Sequence, residues 1–278
     1  MTRTLTLGRR YFGTALIWLS VALFVSPFYI AIVTSLKSPA ETAASRLALP
    51  TVLRWENFAE ALRMSSFFVA LKNSVIFTVF SVILIILCGS MAAYIIARNY
   101  SKRRYRLSEK VFLAAIMIPF EVLMIPLYKI CFDLGLINTL TGAIIVKVGL
   151  SIPFALFMYI GFIKSVPLEL EEAAQIDGAG IYRTFWYIVF PLLKTVTASL
   201  VALQILWTWN DFSVSLILLQ RDAVRTIPLQ QFVFFGQYTA NYNLAFASAI
   251  VSMIPIYLFF FIMQKYIVSG LLSGAVKG

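Results

Sequence analysis

Apolar residues fall into six long stretches along the chain, at 11–33, 68–97, 111–132, 141–163, 192–219 and 244–268. Each reaches the roughly 20 residues that a helix needs to cross a bilayer, and far exceeds the roughly 9–11 residues of a barrel strand. A spanning segment must pair its own backbone groups, which selects helices here. The pattern therefore predicts an all-α polytopic membrane protein with six transmembrane helices. Six crossings return both termini to one side. The first stretch has a basic flank (Arg3, Arg9, Arg10) like that of a signal peptide, but it is longer than a signal core of roughly 7–15 residues, so it reads as an anchored helix. Pro119, Pro126, Pro153 and Pro255 lie inside stretches and predict kinks.

Composition narrows the class. The apolar share is 61%, the charged share 13% and the mean hydropathy +0.89 across 278 residues. A soluble fold cannot hide that much apolar surface, and disorder needs low hydrophobicity. There is no His, which removes imidazole catalysis and most transition-metal sites. Cys88 and Cys131 sit in or beside apolar stretches and read as small buried hydrophobes; no metal site is expected.

Charge then orients the chain. Of 23 Lys and Arg, fourteen fall on the side of the termini and six on the other. The positive-inside rule predicts that both termini, the 98–110 loop and the 164–191 loop are cytoplasmic. It accounts for the net charge of +11 without nucleic acid. The basic run in 98–110 reads as an anchor on anionic lipid headgroups. The 34–67 loop is then the largest external one, too small for a catalytic domain.

The segment 166–191 carries its own physics. Pro167 suits a first helical turn, where its missing N–H costs nothing. Glu169, Glu171 and Glu172 follow, near the positive end of that helix's dipole. Ala173 and Ala174 would admit close approach of another protein surface. Gly178 is a helix terminator. The run 181–189, with Tyr182, Phe185, Trp186 and Tyr187, reads as an interfacial helix leading to Pro191 and the next span.

The spacing Glu172-Ala173-Ala174, three residues, Gly178, nine residues, Ile188, one residue, Phe190-Pro191 resembles the EAA motif of ABC importer permeases, with Phe190 where Leu is usual. Trp209-Asn210-Asp211-Phe212, Ile125-Pro126-Leu127-Tyr128, Trp55-Glu56-Asn57-Phe58 and the ending 266–278 are also similar to stretches of carbohydrate-importer permeases. The chain is thus identified as resembling the type I, maltose-permease-like carbohydrate importers, in particular their short six-helix subunit.

That resemblance implies one transmembrane permease domain over 1–278, with the 164–191 loop coupling to a cytoplasmic ATPase through Glu172, Ala173, Ala174, Gly178 and Pro191. It implies a second ATPase contact in the tail 269–278, at Gly270, Gly274 and Lys277. The expected partners are a homologous second permease subunit, a dimer of ABC ATPase, an extracellular or periplasmic solute-binding protein and membrane lipid. The expected place is a prokaryotic inner membrane. The chain has no G-x-x-x-x-G-K-[ST] phosphate loop, so ATP and Mg belong to the partner ATPase, and the chain itself is expected to be neither an enzyme nor a cofactor binder.

Charges inside spans are costly, about 2.5–3.5 kcal/mol at a helix centre, and so mark a purpose. Glu121, Lys147 and Asp211 are the candidates, and Lys147 is placed to pair with Glu121 or Asp211. Asn210 and Trp209 join Glu121 and Asp211 as candidate substrate-pathway or gating residues. Two alternatives remain at this point. The solute is a glycerol-phosphate ester or polyol instead of an oligosaccharide, or the chain is an ion-gradient-driven carrier, which would have no use for the EAA spacing.

Overall fold

The computed structural model describes residues 2–236 and 240–275, with side chains at 13–236, 240–262 and 264. In chain order the helices are α1 (Thr2–Ser35), α2 (Pro39–Ala44), α3 (Glu56–Met64), α4 (Phe67–Arg98), α5 (Arg103–Ile116), α6 (Phe120–Asp133), α7 (Leu140–Ile163), α8 (Glu169–Ile176), α9 (Ile181–Thr184), α10 (Phe190–Leu192), α11 (Lys194–Trp209), α12 (Ser213–Leu218), α13 (Ile227–Gln230) and α14 (Tyr242–Ala275). A π-helical turn, Phe185–Val189, joins α9 to α10. Extended pairing among the described residues amounts to one isolated bridge, Phe235 to Ala240.

Four apolar helical segments are long enough to cross a membrane alone: Gly13–Ser35, Phe67–Arg98, Leu140–Ile163 and Tyr242–Ile262. The third and fifth expected spans differ from straight helices. The third is two helices, α5 and α6, bent by 104°. The break falls at Met117–Pro119, because a residue before proline is pushed out of the α region and Pro119 itself is extended (ψ 138°). The fifth is bent by 78° at Leu193, between Ile181–Leu192 and α11. It stops again at Trp209, ten residues short of the expected end at Leu219. With each bent pair counted as one span, the crossings number six.

The chain divides into two compact units. The first is Met1–Phe67 with Gln231–Ile254. Its small core joins Ala61 and Phe58 of α3 to Phe234, Leu244, Ala245 and Ala247. The last carbonyls of a helix lack intrahelical donors, and two asparagine side chains supply them at the end of α1. Asn57 Nδ2 donates to the Ser35 and Lys37 carbonyls at 2.8 and 2.9 Å. Asn243 Nδ2 donates to the Thr34 and Lys37 carbonyls, also at 2.8 and 2.9 Å. The Asn57 of the Trp55–Phe58 string is therefore a cap.

The second unit is Phe68–Gln230 with Pro255–Gly278. Its core runs along α4, α7, α11 and α12, with Phe77, Ile85, Leu156, Tyr159, Leu200 and Leu218 all buried. The helix α7 is central and packs against α5, α11 and α12. Asn73 Nδ2 donates to the Ala223 and Arg225 carbonyls, each at 3.0 Å, and Ser74 Oγ accepts from the Ile227 amide. These bonds tie the 219–227 loop to the start of α4.

A close approach of α4 to α7 depends on Gly89. A Cβ placed there would stand 2.8 Å from the Ala155 Cβ, closer than methyl groups pack. Gly89→Val should therefore cost about 1–3 kcal/mol by overpacking. It should lower the melting temperature in detergent, and Ala155→Gly should restore part of the loss. An unchanged melting temperature for Gly89→Val would refute this close packing.

Candidate functional site

The helix α8 is set by its ends. Three glutamates occupy its first turn, where the helix dipole favours anions. Its last turn closes as a Schellman motif: the Ala179 amide donates to the Ala174 carbonyl at 2.9 Å and the Gly178 amide to the Gln175 carbonyl at 3.0 Å. Gly178 takes φ +81°, and a Cβ there would meet nothing within 4 Å. Glycine is required by the left-handed backbone, not by space.

One face of α8 is turned into the unit. Glu171 is 4% exposed. The Tyr94 hydroxyl donates to its Oε2 at 2.7 Å, and Arg98 Nε donates to its Oε1 at 2.7 Å. Arg98 Nη2 also donates to the Val166 carbonyl at 3.0 Å. Ala174, one helical turn on, is buried on the same face. The other face carries Glu172, Ala173 and Ile176, all exposed, with Ile176 at 87%. The expected contact set thus splits: Glu172 and Ala173 point outward, while Ala174 packs inward. Arg98 is likewise spent on a buried carboxylate instead of on headgroups.

The π turn continues the bolt. Tyr94, whose hydroxyl holds Glu171, packs its ring 5.1 Å from Phe185. Phe185 and Phe190 each pack on Trp186 at 4.9 Å, edge to face. Phe190, the departure from the usual Leu, thereby gains aromatic partners. Pro191 is exposed in the short α10 that follows. Around this structure Leu168, Leu170, Ile176, Ile181, Tyr182 and Tyr187 are exposed, an apolar rim beside the outward face of α8.

A second polar constellation lies on α7 and at the end of α11. Lys147 Nζ stands 2.7 Å from Asp211 Oδ2, with the side chains 11% and 10% exposed. Asp211 Oδ1 also accepts from the Val214 amide at 2.9 Å. Asn210 Nδ2 donates to the Leu206 carbonyl at 2.9 Å. These local bonds compete with the helix ladder and end α11 where composition alone predicted continuation. The ion pair settles Lys147's partner as Asp211. Glu121 stands apart, exposed on the first turn of α6. Trp209 is buried and lines an apolar groove of about 480 Å³ with Val75, Val79, Ile205, Pro255 and Phe259.

Some expected positions carry no side-chain description. Gly270 and Gly274 lie on the backbone of α14, which runs on past the expected end of its span to Ala275. Lys277 lies outside the described residues. Sequence reasoning missed Gln204 on α11, whose two amide atoms are buried and unpartnered, with Thr208 one turn on in the same condition. A polar side chain amid apolar neighbours was the available signal. It also missed Glu171, because Arg98 lies 73 residues away.

The family model for the binding-protein-dependent transport system inner membrane component matches residues 85–273. The chain belongs to that family. It is 40% identical over 256 residues to the melibiose/raffinose/stachyose import permease protein MelC of Bacillus subtilis (strain 168), covering 91% of each chain. It is 36% identical over 257 residues to the probable starch degradation products transport system permease protein AmyC of Thermoanaerobacterium thermosulfurigenes, covering 92% of each. Among solved structures it resembles a chain of a bacterial ABC transporter involved in the import of the acidic polysaccharide alginate. That likeness has a TM-score of 0.78 and 22% identity, and covers 92% of this chain and 96% of the other. The relatives are permeases, not enzymes, as the sequence led us to expect, and the chain is a multi-pass membrane permease.

Two outcomes follow from the polar ties. Arg98→Ala leaves a buried carboxylate with one donor fewer, which should cost about 3 kcal/mol and lower the melting temperature in detergent by several degrees. Lys147→Met alone should destabilise strongly, while the double variant Lys147→Met with Asp211→Asn should regain most of the loss, since replacing a buried pair whole is far milder than breaking it. A double-mutant cycle reads the coupling, and additive losses would show that the pair does not hold α7 to the end of α11.

Proposed function

We propose that this chain is one permease subunit of an ATP-driven importer for sugars, oligosaccharides foremost. In this reading it forms the route with a homologous second permease subunit, and a solute-binding protein delivers the sugar from outside. The termini, the 98–110 loop and α8 face the cytoplasm, where the exposed face of α8 meets a dimeric ABC ATPase. The saccharide substrates named for the relatives support the solute class, and the family's dependence on a binding protein supports the delivery step.

The observation that carries the coupling role is the division of α8 into two faces. Glu171 is tied inward to Tyr94 and Arg98 at the end of α4, Ala174 is buried on the same face, and Glu172 and Ala173 remain outward. A surface helix held by a buried ion pair moves with the span to which it is bolted. Closure of an ATPase groove around the outward face then pulls on α4 through Glu171, Arg98 and Tyr94. Ile176 and its apolar neighbours supply contact area, and Glu172 the charge. The role is mechanical: no group on α8 needs to touch a reacting atom.

Glu172→Lys reverses the charge on the exposed face and leaves the Glu171 ties intact. It should preserve expression and melting temperature while reducing sugar uptake by at least about tenfold, the equivalent of about 1.4 kcal/mol in coupling. Uptake in proteoliposomes holding the whole importer, offered melibiose, raffinose and stachyose through its binding protein, is the measurement. Wild-type uptake and ATPase stimulation in that variant would remove α8 from the coupling path.

A further inference from the structure

The segment 45–55 lies in the first unit, between α2 and α3, and its backbone is tied to the protein at four places. Lys37 Nζ donates to the Ser45 carbonyl at 3.0 Å. The Tyr29 hydroxyl donates to the Leu47 carbonyl at 2.7 Å. The Thr51 amide donates to Glu41 Oε1 at 3.0 Å, and the Thr51 hydroxyl bonds the same oxygen. The Arg54 amide donates to the Leu36 carbonyl at 3.0 Å.

The first and last of the ties to α1 and its end fix where the segment lies. Tyr29 and Leu36 are seven residues apart, about 10 Å along a helix at 1.5 Å per residue. Residues 47–54 therefore run back beside the last two turns of α1. Four backbone groups of the segment are bonded to the protein, and apart from Arg46, Thr51 and Arg54 its exposed side chains are apolar. Leu47, Leu49, Val52, Leu53 and Trp55 are 52–71% exposed. A loop bathed in water has no reason to present five large apolar side chains together.

We propose that this segment is an interfacial strap that buries Leu47, Leu49, Val52, Leu53 and Trp55 in the bilayer leaflet at the C-terminal end of α1. The continuity with α1 names lipid as the occupant. The strap lies along the outer end of a membrane-crossing helix whose own flank, at Leu23, Phe24, Phe28 and Ile32, is exposed and apolar. Tyr29 and Trp55 sit at that end, where amphipathic rings favour the boundary between headgroup and chain. Arg46 and Arg54 flank the apolar side chains and keep their charges off them: the Arg46 guanidinium lies 5.6 Å from the Tyr242 ring centroid, and Arg54 Nη1 pairs with Glu56 Oε1 at 3.1 Å.

Glu41 keeps the strap closed. Hydrogen bonds from the Thr51 side chain first, then from the Ser38 and Thr51 amides, hold its carboxyl down at about 2, so it stays an anionic acceptor at physiological pH. The strap rests on the membrane assignment alone and stands or falls apart from the coupling role of α8.

The test is site-directed spin labelling of the full chain, reconstituted in lipid with the subunits that purify with it. In a Cys88→Ala, Cys131→Ala background, labels go at Leu49→Cys and Leu53→Cys, with Ala43→Cys on exposed α2 as the aqueous reference. Collisions with oxygen, which partitions into lipid, and with a water-soluble nickel chelate are compared. The strap predicts an oxygen-to-nickel ratio several-fold higher at 49 and 53 than at 43. Nickel access at 49 and 53 equal to that at 43 would overturn it in favour of open water. Protection of both positions from both reagents would overturn it in favour of a protein partner.

Discussion

A chain that crosses a bilayer has no water to satisfy its backbone, so every place where a helix stops needs a donor or acceptor from the protein itself. This constraint accounts for several of the polar side chains among the described residues. Asn57 and Asn243 meet the carbonyls at the end of α1. Asn210 and Asp211 meet backbone groups at the break after α11. Asn73 and Ser74 meet those of the 219–227 loop. Asn210 and Asp211 act within one turn, whereas Asn57, Asn73, Ser74 and Asn243 meet backbone groups twenty or more residues away. These polar residues of an apolar chain are thus fittings of its helix ends and loops.

Two ion pairs do something further. Arg98–Glu171 and Lys147–Asp211 join segments 73 and 64 residues apart, and both are largely withdrawn from solvent. Such pairs add little net stability, because desolvation offsets the attraction, but they penalise any arrangement that separates the partners. That is the property a moving permease needs at its joints. The first pair makes α8 an extension of α4, and the second keeps the broken end of α11 on α7. The bends of 104° before Phe120 and 78° at Leu193 break the third and fifth spans into pairs of helices.

The apolar stretches were enough to read the class from the chain, since that rests on a local rule, the thickness of a bilayer; the family was read from the resemblance of the Glu172–Pro191 spacing and its companion stretches to those of known permeases. Gly178 is the clearest case, because only its left-handed backbone closes the Schellman motif that the spacing anticipates. What local rules could not supply was direction. Glu171 and Glu172 are chemically the same and adjacent, and only packing against Tyr94 and Arg98 sends one inward and leaves the other out. The bend of the third span was legible in Pro119, which predicted a kink, but its size was not; the bend of the fifth at Leu193 and its stop at Trp209, where Asn210 and Asp211 bond the backbone, were beyond a count of apolar residues. Lys147 had two possible carboxylates, and the fold chose Asp211 by bringing α7 against the end of α11. The sequence by itself determined which segments leave water and which short segment folds as α8, because each follows from residues within a few turns of one another. Which faces are bolted and which charges pair was decided by the tertiary structure, because those outcomes depend on groups that the chain brings together from more than sixty residues apart.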